Sequence, residues 1–169
     1  MKSRTSFPAR DRSQALVAAA LLAALVLAVF WPLVGFGFVH WDDDVYVTEN
    51  TRVQNGVTWD NVRWAFTTTY FGFYYPITWL SHMLDCQLFG LRAGGHHATS
   101  ILLHLLNALV LFAALRRMTG SVWRSFAVAA LFAVHPLSVE SVAWVSERKN
   151  LLSTFFWFVG LYCYTRYAE

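Results

Sequence analysis

Residues 13 to 44 read SQALVAAALLAALVLAVFWPLVGFGFVHWDDD: 27 positions without a charge, then His40, Trp41 and three adjacent carboxylates. A helix rises 1.5 Å per residue and a bilayer's hydrocarbon core is about 30 Å thick, so about 20 apolar residues suffice to cross it. The run predicts a membrane-spanning helix over 13–39. The alternative is a cleavable signal peptide, whose apolar region is about 7–15 residues long and ends in small residues. This one is longer and closes on Gly35-Phe36-Gly37-Phe38. Lys2, Arg4, Arg10 and Arg12 precede it, which by the positive-inside rule predicts a cytoplasmic N-terminus over 1–12. The acidic triplet then emerges on the outer face.

The rest of the 169 residues agree with a membrane setting. The chain is 57% hydrophobic and 17% aromatic against 14% charged, with its charges clustered between long neutral stretches. The pI near 9.1 comes from arginines beside apolar runs, with no continuous basic face to track phosphates, so nucleic acid is excluded as a partner. Cys86 and Cys163 fall on segments expected outside and inside the membrane, and no disulfide or zinc framework follows.

A second span is expected over 98–115. Arg116, Arg117 and Arg124 follow it with no acid among them, marking a cytoplasmic loop over 116–124. The apolar runs 125–139 and 151–165 hold 15 residues each, reaching only about 22 Å. If the first continues through ESVAWV, a third span covers 125–146, an outer turn 147–150 and a fourth span 151–166. Glu140 then lies inside the end of a membrane helix.

The outer segment 40–97 carries six acidic and three basic residues, net −3. Thr58 is expected to N-cap a short aromatic helix, and Pro76 and Gly90 to bound a second. In the second, Ile77, Leu80, Leu84 and Leu88 keep helical spacing while Ser81, His82 and Asp85 take other faces. Both are expected to lie on the membrane surface with tryptophans at headgroup level.

FVHWDDDVYVTENTRVQNGVTWDNVRWAFTTTY, YPITWLSHMLDCQLFGLRAGGHH, LLHLLNALVLF and HPLSVESVAWVSERKNLLSTFFW, in this order over about 36–167, resemble the N-terminal membrane region of the transmembrane, tetratricopeptide-repeat-containing O-mannosyltransferases and their bacterial relatives. These belong to the GT-C glycosyltransferase superfamily. The resemblance implies an all-α, GT-C-like membrane fold of about four spans in a bacterial inner membrane. It also implies a sugar, with mannose the first candidate, passed from a polyprenyl-phosphate donor to an acceptor hydroxyl of a protein or glycan on the outer face. Family members have more spans and usually a tetratricopeptide array, so this chain is expected to be a fragment, one part of a split enzyme completed by a partner chain, or an inactive remnant. The competing reading is a non-catalytic membrane interaction or assembly subunit.

By the same resemblance Asp42 and Asp43 match the acidic pair after the first GT-C helix. A hydroxyl is a poor nucleophile at neutral pH, and a carboxylate that takes its proton as the C–O bond forms speeds transfer. Asp44 is expected to be solvated, and a merely solvated collar is the alternative for all three. Glu140 is a cavity acid candidate, or else the ion-pair partner of Arg148. Arg148 and Lys149 are expected to meet the donor phosphate. A divalent metal is an open expectation, with His40, His96, His97 and His135 as candidate ligands beside the aspartates. His104 and Asn107 serve equally as interhelical hydrogen-bond partners, and His135 as a cap at the Pro136 kink. The aromatics between Trp41 and Phe89 make an interfacial belt, and YYPITW offers rings to stack on a sugar or hold a polyprenyl chain.

Overall fold

The computed structural model describes residues 9–70 and 72–168. The basic residues Lys2 and Arg4, and Phe71 of the aromatic series, lie outside them. Among the described residues the chain is helical, with one isolated β-bridge between Tyr70 and Phe73.

Helix α1 (Ala9–Phe30) continues into a 3₁₀ turn at Trp31–Gly35 that opens with Pro32. Ala15, Ala18, Leu22, Val26, Phe30 and Leu33 are buried, a stripe recurring every three or four residues. The opposite face is also apolar and is exposed: Leu16, Val17, Leu21, Leu27 and Val29. A soluble chain does not leave such a band in water. Helix α5 (Ala93–Thr119) is the second helix long and apolar enough to cross a membrane, the first running over Arg10–Gly35. These two helices make the chain a membrane protein.

Helix α5 is the central element, touching α1, α6 (Val122–Ala133) and α8 (Arg148–Ala168). It ends where Gly120 adopts a left-handed φ of 66°, which glycine enters without a Cβ penalty. The turn to α6 is therefore two residues, Gly120 and Ser121, tighter than the expected loop over 116–124. At its other end Gly94 and Gly95 permit close approach. A Cβ on Gly94 would lie 2.5 Å from the Val34 carbonyl oxygen, and one on Gly95 2.3 Å from the Phe89 ring.

The expected continuous helix over 125–146 is broken. Helix α6 has 12 residues, about 18 Å, and stops at Ala133. Pro136 supplies no N–H and pushes His135 out of helical conformation, so the chain restarts only at the short α7 (Ser138–Ala143) and a 3₁₀ turn, Val145–Glu147. The break frees the Ala133 carbonyl, and the His104 imidazole meets it at 2.8 Å. Asn107 donates to the Leu151 carbonyl at 3.0 Å, tying α5 to α8. Both residues are thus interhelical partners. The His135 ring accepts from the Leu137 N–H at 3.3 Å, capping the kink.

The outer segment folds over the ends of α1, α5 and α8. A π-helical turn at Asp44–Thr48 leads to α2 (Thr51–Gln54), α3 (Trp59–Thr67) and α4 (Pro76–Phe89). Thr58 caps α3 by accepting from the Asn61 N–H at 3.2 Å, and α4 starts on Pro76 and ends at Gly90, as the turn chemistry predicts. The apolar residues Ile77, Leu84 and Leu88 face outward, whereas His82 and Asp85 face inward and are buried. The inward face is mixed, because Trp79, Met83 and Cys86 are buried beside His82 and Asp85 while an apolar stripe stays exposed.

Candidate functional site

A polar layer is sealed between the outer helices and the spans. Two buried carboxylates anchor it. Asp43, fully buried, accepts from the Val39 N–H and the Ser146 N–H, each at 2.9 Å, and from the Ser146 hydroxyl. It joins the exit of α1 to the segment before α8, 103 residues later. Asp85 on α4 pairs with Arg148, the first residue of α8, and accepts from the Thr99 hydroxyl at 2.7 Å. Arg148 has no exposed surface. It donates further to Ser81 at 3.2 Å, the His96 carbonyl at 2.7 Å and Ser100 at 3.4 Å.

This geometry redistributes the expected roles. Glu140 does not pair with Arg148; it stands exposed on α7, and Asp85 takes the guanidinium. Arg148 is likewise unsuited to meet a donor phosphate, because its two terminal nitrogens are engaged and it is walled off from solvent. Lys149, next along α8, turns the other way. Its ammonium contacts Glu147 at 2.5 Å and sits 5.6 Å over the Tyr46 ring. Asp43 is enclosed by hydrogen bonds, while Asp42 beside it is half-buried and keeps access to the surface. Asp44, also half-buried, accepts from the Val45 N–H at 2.8 Å.

Tyr46 lies under the Lys149 ammonium. Its ring stacks on Trp79 at 4.9 Å, and its phenol is pushed up to about 12 by burial, with Tyr75, Asp42 and Glu147 adding negative potential. A groove of about 310 Å³ opens here between the start of α4 and the first turns of α8. Pro76, Ile77, Leu152 and Phe156 form its apolar walls, and Lys149 and Asn150 its polar end. A second cleft of about 490 Å³ lies at the α6–α7 break, lined by His104, Asn107, His135, Ser138 and Ser141.

The candidate metal ligands are not brought together as expected. His40 and His135 are exposed, and the His97 ring meets the Gly37 carbonyl at 3.4 Å. His96 alone joins a cluster capable of holding an ion. Among the described residues, ligand atoms of His82, Asp85 and His96 all lie within 4.8 Å of one another. The His82 imidazole is held neutral, its pKa lowered well below the usual value by burial and then by the charge of Arg148. Sequence reasoning passed over Asp85 and His82 as sites. Their signal was the polar face of α4, which is legible as inward-facing only once its apolar stripe is assigned to lipid.

Two spanning-length helices, a helical cap over their ends and a buried Asp–Arg pair define a membrane protein with a polar layer inside it. The comparisons say which one it resembles. The chain is 31% identical to human protein O-mannosyl-transferase TMTC1 over 94% of its length, and 29% identical to Drosophila melanogaster protein O-mannosyl-transferase Tmtc2 over 86%. Against human TMTC2 the identity is 24% over 91%. The chain spans 19% of the length of human TMTC1 and 16% of Tmtc2. The likeness to the transmembrane O-mannosyltransferase family read from the motifs therefore holds over most of the chain. No family model and no solved structure matches it.

Proposed function

We propose that this chain is a GT-C-type glycosyltransferase or the N-terminal part of one. It would transfer a sugar, mannose by the names of its relatives, from a polyprenyl-phosphate donor to an acceptor hydroxyl on the outer face of the membrane. The observation that carries the proposal is the groove between α4 and α8. Its walls of Ile77, Leu152 and Phe156 suit an isoprenoid chain, and Lys149, which also lines it, is a cation that suits a lipid-linked phosphate. The ammonium lies 5.6 Å over the Tyr46 ring, and Asp42 adds negative potential at the Tyr46 phenol.

In this reading Asp42 is the general base. It takes the proton of the acceptor hydroxyl while the hydroxyl oxygen bonds to the anomeric carbon. The bond from that carbon to the phosphate oxygen breaks, its electron pair leaves with the phosphate, and Lys149 stabilises the charge that develops there. A single displacement inverts the anomeric configuration. Asp43 and Arg148 hold the frame, and Glu140 stays an exposed acid between Ser138 and Ser141 of the second cleft. Four spans with a cytoplasmic N-terminus would place Asp42 on the outer side, with α6–α7 and α8 as the third and fourth.

The test uses membranes containing the full-length natural protein, a radiolabelled polyprenyl-phosphate mannose and an acceptor peptide rich in serine and threonine. Asp42→Asn is expected to slow transfer by about 10²-fold or more, and Lys149→Gln to raise the donor KM. Transfer by Asp42→Asn at the wild-type rate removes the base assignment. Absence of transfer by the wild-type protein favours a non-catalytic assembly subunit.

A further inference from the structure

We propose that His82, Asp85 and His96 form a zinc-type metal site that clips α4 to α5. The three side chains are at most 2% exposed, and their ligand atoms lie within 4.8 Å of one another. His82 and Asp85 stand three residues apart on the inward face of α4, and His96 comes from the first turn of α5. Two imidazoles and one carboxylate suit zinc by ligand type, with a water expected to complete its four positions.

Three further observations point to an ion. Both ring nitrogens of His82 are buried without a hydrogen-bond partner, although a buried imidazole ordinarily satisfies at least its N–H. The His96 Nε2 lies 3.0 Å from the Gly90 carbonyl, which fixes the N–H there and leaves the Nδ1 lone pair directed at the cluster, 3.6 Å from Asp85. Metal-ligating histidines are commonly oriented by such a carbonyl. Finally, that His96 Nδ1 is itself buried without a hydrogen-bond partner.

Zinc bonds of about 2.0–2.1 Å require the three ligand atoms to draw closer than they stand, a movement of the His82 ring about its side-chain torsions. Asp85 then bridges the ion and Arg148, its other oxygen still held by Thr99. The site is distinct from the groove at Lys149 and does not depend on the transferase reading.

The test uses the full-length protein purified in detergent through a tag that binds no metal. After dialysis, elemental analysis is expected to find about one zinc per chain in the wild type and in His135→Gln, and almost none in His82→Gln or His96→Gln. Because those two variants could misfold, the wild type is also melted with EDTA, with excess magnesium and with zinc. Zinc alone is expected to raise the Tm. Full zinc content in His82→Gln, loss of zinc in His135→Gln, or a wild type that neither retains zinc nor gains stability from it overturns the proposal.

Discussion

Removing either partner of the Asp85–Arg148 pair is expected to be among the most damaging single changes in this chain. Arg148 is fully buried and Asp85 nearly so, so Asp85→Asn leaves a guanidinium with no counter-charge in contact and Arg148→Met leaves a carboxylate in the same position. Breaking one side of a buried pair costs about 3–5 kcal/mol, mostly the penalty of the orphaned charge. Arg148→Met also strips Ser81, Ser100 and the His96 carbonyl of a donor, placing it at the upper end of that range. The double variant Asp85→Asn/Arg148→Met removes both charges at once, and a pair replaced by uncharged groups is close to neutral apart from the hydrogen bonds lost. It is therefore expected to be about 3 kcal/mol more stable than the sum of the singles, the upper range for contacting residues. Unfolding of the detergent-solubilised protein in a denaturing-detergent titration, followed by tryptophan fluorescence, measures all four species. If the two single losses simply add, the pair is not coupled and the polar layer is not organised around it.

Three further outcomes follow from particular contacts. Gly95→Ala presses a Cβ into the Phe89 ring and is expected to cost about 1–3 kcal/mol in the same titration, whereas Gly160→Ala, with open space around it, is expected to cost nothing measurable. Ser146→Ala removes the hydroxyl that donates to Asp43 but keeps the backbone N–H, so a loss of about 1–3 kcal/mol is expected without the collapse that a lost charge partner brings. The buried Cys86 thiol is pushed up to about 11, chiefly by desolvation and then by Asp85, so thiolate forms only as pH approaches that value. In the folded protein it is expected to resist N-ethylmaleimide at pH 8 and to react once the chain is unfolded; mass spectrometry of the peptide containing Cys86 reads both states.

Much of this structure was readable from residue order. The first apolar run, the capping by Thr58, and the Pro76 start and Gly90 stop of α4 are local or nearest-neighbour matters. Hydropathy and turn chemistry decide them. The likeness to the O-mannosyltransferases was legible for the same reason, since it rests on short ordered motifs. The break at Pro136 was visible as a proline. Only the fold showed that the chain leaves the helix there altogether, because whether a proline kinks or ends a helix depends on what satisfies the freed carbonyl, here His104 from another element.

What the sequence could not assign was partnership across distance. Asp43 and Ser146 are 103 positions apart, and Asp85 and Arg148 are 63 apart. No local pattern ranks Asp85 above Glu140 as the mate of a buried arginine, although Glu140 is closer in the chain. Two adjacent aspartates look alike as letters, yet one is sealed by three donors and the other reaches the surface; two adjacent cations divide the same way, Arg148 inward and Lys149 toward the groove. Composition and periodicity set the membrane-length helices, and short ordered motifs the family likeness, because both are read from residues and their near neighbours along the chain. Which charges are buried and which reach the surface was decided by tertiary packing, because the solvation of a charge depends on everything folded around it.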